Sequence, residues 1–250
     1  MGAFSATMSQ KSLIAVVNAR SRQNTWANAV RSTWLNQVPK ALADIKFFVG
    51  GGTDGLPDDT VGLDCDDSYQ GLPSKIQGIV NYAYARDYSY VLKIDDDVVV
   101  KPNALLYSGY DKRQYTGRAN RRPTPGDPFW VPMGFAYWLN RDCMKVVSEA
   151  KLPNNNDDER WVAENLHKNG INLSDDKRYH LYMGGLQDRP QRLNRPLRIG
   201  SFAQDWSKFE NGFAFCMFHE VGSSPSQIPI EVKLRDFNMV FQRLGEPHRF

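Results

Sequence analysis

The chain has 250 residues, of which 41% are hydrophobic and 24% charged, which is enough for one large core or two small ones. The net charge of +3 and the pI near 8.7 are too mild to indicate a nucleic-acid-binding protein, although they favour a small anionic substrate. The odd number of cysteines argues against a complete disulfide framework, and no apolar run reaches the roughly 18 residues of a membrane span.

Residues 1–11 lack the charge-and-apolar pattern of a secretory signal, and we expect them to be disordered or vector-derived. We expect residues 12–250 to form a single domain that ends in a C-terminal extension. The cysteines, Cys65, Cys143 and Cys216, are widely separated and show no metal-ligand spacing, so a reducing compartment is the simplest inference.

Strands and helices alternate over the first hundred residues. Apolar runs predict strands at residues 12–18, 45–49 and 90–95, and helical spacing of apolar side chains predicts helices at residues 26–34 and 71–83. This alternation is typical of a parallel α/β sheet, in which ligands bind beyond the carboxyl ends of the strands.

Three aspartates, Asp95, Asp96 and Asp97, interrupt an apolar run at residues 90–100. Adjacent carboxylates repel each other and are costly to bury unpaired, so a divalent cation would stabilise them. Because side chains alternate along a strand, Asp95 and Asp97 are expected on one face and Asp96 on the other. The motif therefore predicts a Mg²⁺ or Mn²⁺ site formed by Asp95 and Asp97, and a solvated acidic turn is the alternative.

The second half has a different character. Residues 129–139 form an aromatic, glycine-interrupted strand that either lines a pocket or packs in the core, and a short helix is predicted at residues 141–151. An acidic loop then enters a helix, where Asn156 and Glu159 have the spacing of a capping box. Capping does not need all of these acids, which leaves Asp158 or Glu159 available as a general base.

Two later stretches carry polar groups. Residues 186–200 hold four arginines among prolines, which favours a solvated loop over a contact with phosphate or acceptor. The apolar run at residues 213–218 predicts a strand that ends at His219, which makes His219 a candidate third metal ligand. Residues 223–244 are interpreted as a loop and a terminal helix.

Six stretches, in the same order along the chain, resemble motifs of the family 31 glycosyltransferases, the β-1,3-galactosyltransferase, N-acetylglucosaminyltransferase and fringe group. They are residues 30–34 (family Ile-Arg-x-Thr-Trp), 47–50 (second strand), 67–75 (Asp-Ser-Tyr-x-Asn-Leu-Thr-x-Lys), 92–98 (Lys-x-Asp-Asp-Asp-Val), 132–137 (Gly-x-Gly/Ala-Tyr) and 158–162 (Glu-Asp-Val-Tyr-Val). The resemblance runs from Leu13 to about Leu244.

The chain departs from the family pattern at defined positions. Ala27 stands where the family has an arginine, a role that Arg20 or Arg22 could take. The family's Glu-Asp pair appears reversed as Asp158 and Glu159, and several family cysteines are absent. These departures and the short length suggest a compact microbial or viral relative.

The resemblance implies an α/β GT-A glycosyltransferase fold, a Rossmann-like mixed sheet flanked by helices. Residues 12–100 would form the half that binds the nucleotide sugar, and residues 101–250 the half that binds the acceptor. The cysteine pattern and the lack of an apolar span favour a cytoplasmic protein or a soluble catalytic domain, and a Golgi-type membrane anchor could have been removed from it.

The implied activity is inverting, metal-dependent transfer of a hexose or related sugar from a UDP-sugar to a hydroxyl of a glycan or glycoprotein acceptor, with a β-linkage formed. Mn²⁺ (or Mg²⁺) would be held by Asp95, Asp97 and His219, and Glu159 or Asp158 would be the base. By the same resemblance, the residues near the nucleotide or its sugar would be Asp67, Lys75, Asp96, Arg31 and Arg22.

Two other function classes also fit the sequence. Asp95-x-Asp97 after an apolar strand satisfies the motif of haloacid-dehalogenase-like, Mg²⁺-dependent phosphatases, although that motif normally follows the first strand. The altered acidic pair at residues 158–159 is compatible with a protein that binds glycan without turnover.

Overall fold

The strands and helices below come from a computed structural model that describes residues 11–182, 212, 214–217, 234, 238, 241 and 242. The strands are β1 (Ser12–Val17), β2 (Ala43–Val49), β3 (Thr60–Gly62), β4 (Tyr90–Asp95), β5 (Val98–Val100), β6 (Tyr115–Arg121), β7 (Val131–Asn140), β8 (Ser174–Asp175), β9 (Tyr179–Tyr182) and β10 (Ala214–Met217). The helices are α1 (Asn28–Ser32), α2 (Leu72–Ala85), α3 (Pro102–Leu106), α4 (Arg141–Glu149) and α5 (Asp158–Lys168).

The larger sheet has seven strands in the order β3-β2-β1-β4-β7-β6-β8. Its first four strands are parallel, which confirms the α/β prediction for the first half, whereas β7 is antiparallel to both β4 and β6. The chain runs outward from β1 to β3 and then returns to the other side of β1 to form β4. The carboxyl ends of β1 and β4 therefore flank the point where strand order reverses, which is where ligands bind in open α/β sheets.

A second, three-stranded sheet has the order β5-β10-β9. The apolar run at residues 90–100 is thus divided between two sheets, since β4 belongs to the larger and β5 to the smaller, with a turn at Asp96 and Asp97 between them. The strand predicted at residues 213–218 is confirmed over its described part by β10, which pairs antiparallel with β5.

Both faces of the larger sheet are covered, which explains why β1 is apolar throughout rather than alternating. Side chains at Ile14 and Val16 pack into one core with Trp34 and Trp138, and those at Leu13 and Ala15 pack into a second core with α2, α4 and α5. The second core lies under the helix that carries the acidic pair at residues 158–159.

Two local predictions need correction. The single helix predicted at residues 26–34 is broken into a wide turn at Gln23–Ala27, α1, and a tight turn at Trp34–Gln37. Asn156 does not cap α5: the Asp157 carboxylate accepts the hydrogen bond from the Arg160 backbone N–H at 3.2 Å, and the helix begins at Asp158. The cap thus uses one acid and leaves the next two for other contacts.

Within the described part of the chain, no helix has the length and apolar character needed to cross a membrane. Cys65 and Cys143, the cysteines whose side chains lie in that part, are both reduced.

We expect Trp34→Phe to lower the free energy of unfolding by roughly 2–4 kcal/mol. The Trp34 side chain is fully buried, and its indole N–H donates to the Val98 carbonyl oxygen at 3.0 Å. This bond joins the tight turn Trp34–Gln37 to β5. Urea unfolding measures the change. The matched control is Trp130→Phe at a side chain that is 38% exposed, expected within about 1 kcal/mol of the unmodified protein; equal losses in both variants would contradict the prediction.

Candidate active site

The acidic turn lies at the carboxyl end of β4, opposite the carboxyl end of β1, because Asp95 is in register with Val17. Asp96 is only 3% exposed, whereas Asp95 and Asp97 are partly exposed on either side of it. The two oxygens of Asp96 accept hydrogen bonds from the Asn18 amide at 2.8 Å and from the Arg22 guanidinium at 2.6 Å. Burial and the neighbouring carboxylates raise the pKa of Asp96, and Arg22 opposes that rise.

Lys93 occupies the interior of the site, two residues before Asp95 on the same face of β4. Its ammonium donates to Asp95 Oδ1 at 2.7 Å and to the carbonyl oxygen of Gly134 on β7. Burial alone would lower the pKa of Lys93, but the carboxylates of Asp95, Asp158 and Glu159 outweigh it and raise the pKa. Lys93 is therefore a buried cation shared by the carboxylates of β4 and α5.

Asp158 and Glu159 differ in accessibility. Asp158 is 2% exposed, and its Oδ2 has no hydrogen-bond partner among the described residues. Burial raises the pKa of Asp158 to about 7, against the opposing effect of Lys93. Glu159 is partly exposed and lies against Gly134, where an added Cβ would fall 1.6 Å from Glu159 Oε1. Burial also raises the pKa of Glu159, so both acids hold a proton more readily than usual.

Asp67 and Lys75 form a second polar cluster beside β1. The Lys75 ammonium donates to Asp67 Oδ1 at 2.8 Å and to the Asn18 carbonyl oxygen at 2.9 Å. Asp67 also accepts the backbone N–H groups of Arg20 and Gly50, and these bonds together with Lys75 outweigh the effect of burial and lower its pKa. The two predicted residues are thus brought together, and Asn18 connects them to the acidic turn.

The three arginines considered from the sequence have different surroundings. The Arg20 guanidinium donates to backbone carbonyl oxygens of the loop after β2, including those of Gly50, Gly51 and Gly52. Arg22 lies at the acidic turn, because its guanidinium pairs with Asp96, and 40% of its side chain is exposed.

Arg31 is engaged away from the acidic turn. Its guanidinium forms a two-fold pair with Asp59 at 2.7 and 2.8 Å, and its Nη2 also donates to Gln23. The guanidinium lies over the Phe47 ring at 4.4 Å from its centroid. Among the described contacts, Arg31 pairs with Asp59 and does not touch Asp67 or Asp96, the carboxylates predicted to lie near the nucleotide.

Two residues of the site were not singled out from the sequence. Lys93 is a charged residue inside an apolar strand, on the same face as Asp95. This position is the feature of the sequence from which its place in the site could have been predicted. Asn18 is the first polar residue after β1, at the sheet edge where the aspartates were expected. A single polar residue after a strand is too common to single out without its partners.

The chemistry of Asp95 and Asp97 suits a hard divalent cation, because both carboxylates are partly exposed and only one residue apart. Magnesium-type sites often use one or two carboxylates and complete their coordination with water and substrate phosphates. Among residues 11–182 and the few described beyond them, no group of three or more His, Cys, Asp or Glu side chains is arranged to hold a metal. His219 and the arginine-rich residues 186–200 lie outside the described residues.

Comparison with known proteins finds similarity to glycosyltransferases in part of the sequence and in the fold. The family model Galactosyltransferase matches residues 26–121, less than half of the chain, and confirms the predicted resemblance over that part. A crystal structure of a glycosyltransferase involved in the glycosylation of the major capsid of PBCV-1 is similar, with a TM-score of 0.50 and 9% sequence identity, covering 92% of this chain and 99% of that one. None of the curated proteins matches the chain.

A second solved structure, from Desulfovibrio desulfuricans G20 and described as a candidate nucleotide-diphospho-sugar transferase, aligns with a TM-score of 0.45 and 12% identity. That alignment covers 93% of this chain and 97% of the other. The seven-stranded mixed sheet flanked by helices, together with the similarity to the PBCV-1 glycosyltransferase, confirms the predicted GT-A α/β fold.

We expect the unmodified protein to lose stability as the pH rises from about 5 to about 8, and Asp158→Asn to lose less. Because the folded-state pKa of Asp158 is raised, its stabilising contribution is complete below the unfolded-state pKa and is lost as the pH rises through about 7. Between pH 5 and pH 8 the unmodified protein should lose roughly 2 kcal/mol more of its free energy of unfolding than Asp158→Asn does. Urea unfolding at both pH values measures the two losses.

The matched control for this prediction is Glu164→Gln, which removes a partly exposed acid of α5 that pairs with Lys168 at 2.7 Å. It should keep the pH dependence of the unmodified protein. Equal losses of unfolding free energy in the unmodified protein and in Asp158→Asn would show that folding does not raise the pKa of Asp158.

Proposed function

We propose that the protein is an inverting, metal-dependent glycosyltransferase that moves a hexose or related sugar from a UDP-sugar to a hydroxyl of a glycan acceptor and forms a β-linkage. The observation that carries the proposal is the meeting of two sets of carboxylates around Lys93, one from the end of β4 and one from the start of α5. Such a site has carboxylates that can bind a metal–diphosphate complex beside carboxylates that can accept a proton.

On the donor side, Asp95, Asp97 and His219 would hold Mn²⁺ or Mg²⁺, which when bound would neutralise negative charge on the departing diphosphate. Arg22, whose side chain is 40% exposed beside Asp96, would be available to an anionic nucleotide. Asp67 and Lys75 are fixed beside β1, and by the resemblance they would lie near the nucleotide or its sugar.

On the acceptor side, accessibility favours Glu159 over Asp158 as the base. A general base must touch the hydroxyl that it deprotonates, and Asp158 is buried whereas Glu159 is partly exposed. The Glu159 carboxylate would take the acceptor proton while the acceptor oxygen bonds to the anomeric carbon from the face opposite UDP. The bond from that carbon to the UDP oxygen breaks, and UDP leaves with the electron pair.

The position of the acidic motif in the sheet weighs against the phosphatase alternative. In haloacid-dehalogenase-like enzymes the motif follows the first strand, whereas here it follows β4, after three other strands have formed.

We expect UDP with Mn²⁺ to raise the melting temperature of the protein, because a ligand that binds the native state stabilises it by mass action. The shift should disappear with EDTA and fall sharply in Asp97→Ala. Asp111→Ala, at an exposed aspartate of the turn Tyr110–Lys112, serves as the control and should keep the full shift. No shift with any nucleoside diphosphate or sugar nucleotide would contradict the proposed donor site.

We expect Gly134→Ala to lower kcat for sugar transfer about 10- to 100-fold while changing the free energy of unfolding by less than about 1 kcal/mol. The new methyl group would overlap the Glu159 carboxylate, and a flexible side chain can move aside at little cost to stability. Radiolabelled sugar transfer to methyl glycosides measures the activity.

The control for Gly134→Ala is Gly126→Ala, where an added Cβ meets open space, and it should retain full activity. Unchanged transfer by Gly134→Ala would show that the position of Glu159 does not limit the reaction and would remove Glu159 as the base.

A further inference from the structure

Asn18 is a buried hub that makes hydrogen bonds to four separate parts of the fold. Its backbone N–H donates to the Phe48 carbonyl oxygen at 2.9 Å, and its carbonyl oxygen accepts from the Lys75 ammonium at 2.9 Å. Its side-chain Oδ1 accepts from Gln23 Nε2 at 3.2 Å, and its Nδ2 donates to Asp96 Oδ2 at 2.8 Å. The residue is 3% exposed, so these bonds are shielded from water.

The bonds of Asn18 extend outward in two directions. On one side Gln23 Oε1 accepts from Arg31 at 3.0 Å, and Arg31 in turn is clamped by Asp59. On the other side Lys75 is paired with Asp67, which is fixed by backbone N–H groups. Gln23 therefore holds the side-chain amide of Asn18, Lys75 holds its backbone carbonyl, and both neighbours are themselves held.

Asp96 has two side-chain partners, Asn18 and Arg22. The Arg22 side chain is 40% exposed, so that ion pair is accessible to solvent. The bond from Asn18 is buried and ends on a charged group, where a hydrogen bond contributes more than one between neutral groups. Because Asp95 and Asp97 flank Asp96, holding the middle carboxylate restricts the backbone that carries the outer two.

We propose that Asn18 is a positioning residue that holds the acidic turn against the end of β1 before any donor binds, so that Asp95 and Asp97 are presented together. The inference rests on the proposed function, because it gives Asn18 the task of preorganising the carboxylates that would face the donor diphosphate. The bond itself exists in the metal-free protein and can be tested there.

The direct test is Asn18→Asp, which keeps the size of the side chain but replaces the donating amide with a second carboxylate facing Asp96. Amide hydrogen exchange of the segment between Lys93 and Val100, in the metal-free protein, should become at least about tenfold faster. The control is Asn28→Asp, the same chemical change at an exposed asparagine whose Oδ1 accepts from Arg31 and can still do so as a carboxylate.

A reciprocal exchange provides a rescue experiment. In Asn18→Asp combined with Asp96→Asn, residue 96 becomes the donor and residue 18 the acceptor, so the buried bond can form again with its direction reversed. Exchange in the acidic turn should return to within about threefold of the unmodified protein. The inference would be overturned if Asn18→Asp exchanged no faster than Asn28→Asp, or if the double variant failed to restore protection that Asn18→Asp had lost.

If Asn18→Asp does not fold, Gln23→Leu tests the same inference from one bond farther away. Leucine is close to glutamine in volume but cannot orient the Asn18 amide, and exchange in the turn should rise about fivefold. Exchange unchanged from Asn28→Asp would count against the positioning role.

The two proposals fail in different ways. Loosening of the turn in Asn18→Asp, with no melting-temperature shift by UDP and Mn²⁺ in the unmodified protein, would support the positioning of the turn and overturn the proposed donor site. A normal UDP shift in the unmodified protein that persists undiminished in Asn18→Asp would overturn the positioning role and leave the proposed function standing.

Discussion

Mutual repulsion among carboxylates at one end of an apolar sheet is the constraint on which the site depends. Asp95, Asp158 and Glu159 approach one another from two elements, and an ionised carboxylate that is buried without a partner costs several kcal/mol. Lys93 makes their approach possible, since its ammonium touches Asp95 and the backbone of β7 and opposes the rise in the pKa of both acids on α5. The apolar face of α5 packs in the second core, and Lys93 supplies the positive charge that its two acids and Asp95 share.

The acidic turn is stabilised by a different principle. Asp96 uses hydrogen-bond donors from the segment that follows β1, and it can do so because the reversal of strand order brings that segment beside the end of β4. The order of the strands thus brings Asn18 and Arg22 to Asp96, which lies between two other aspartates in the sequence. Asp95 and Asp97 are left partly exposed beside it, as a site for shared coordination requires.

The parallel half of the sheet and the position of the aspartates could be predicted because they depend on local apolar patterns and on a general rule about strand ends. The division of residues 90–100 between two sheets could not, since a β-branched run looks the same whether or not it changes sheets. The hub role of Asn18 and the choice between Arg22 and Arg31 depend on contacts across the fold, to which spacing along the chain gives no access. Asn156 and Asp157 are both good caps, and only the backbone of the loop decides between them.

The pairing of β5 with β10 affects the order in which the site can be completed during synthesis. The parallel strands β1 to β4 all emerge from the ribosome early and can pair with one another at once. The strand that braces the far side of the acidic turn, β10, is made only after β6 to β9 and both α4 and α5. A nascent chain can therefore have strands β1 to β4 paired and Asp96 bonded to Asn18 before the strand that pairs with β5 has been made.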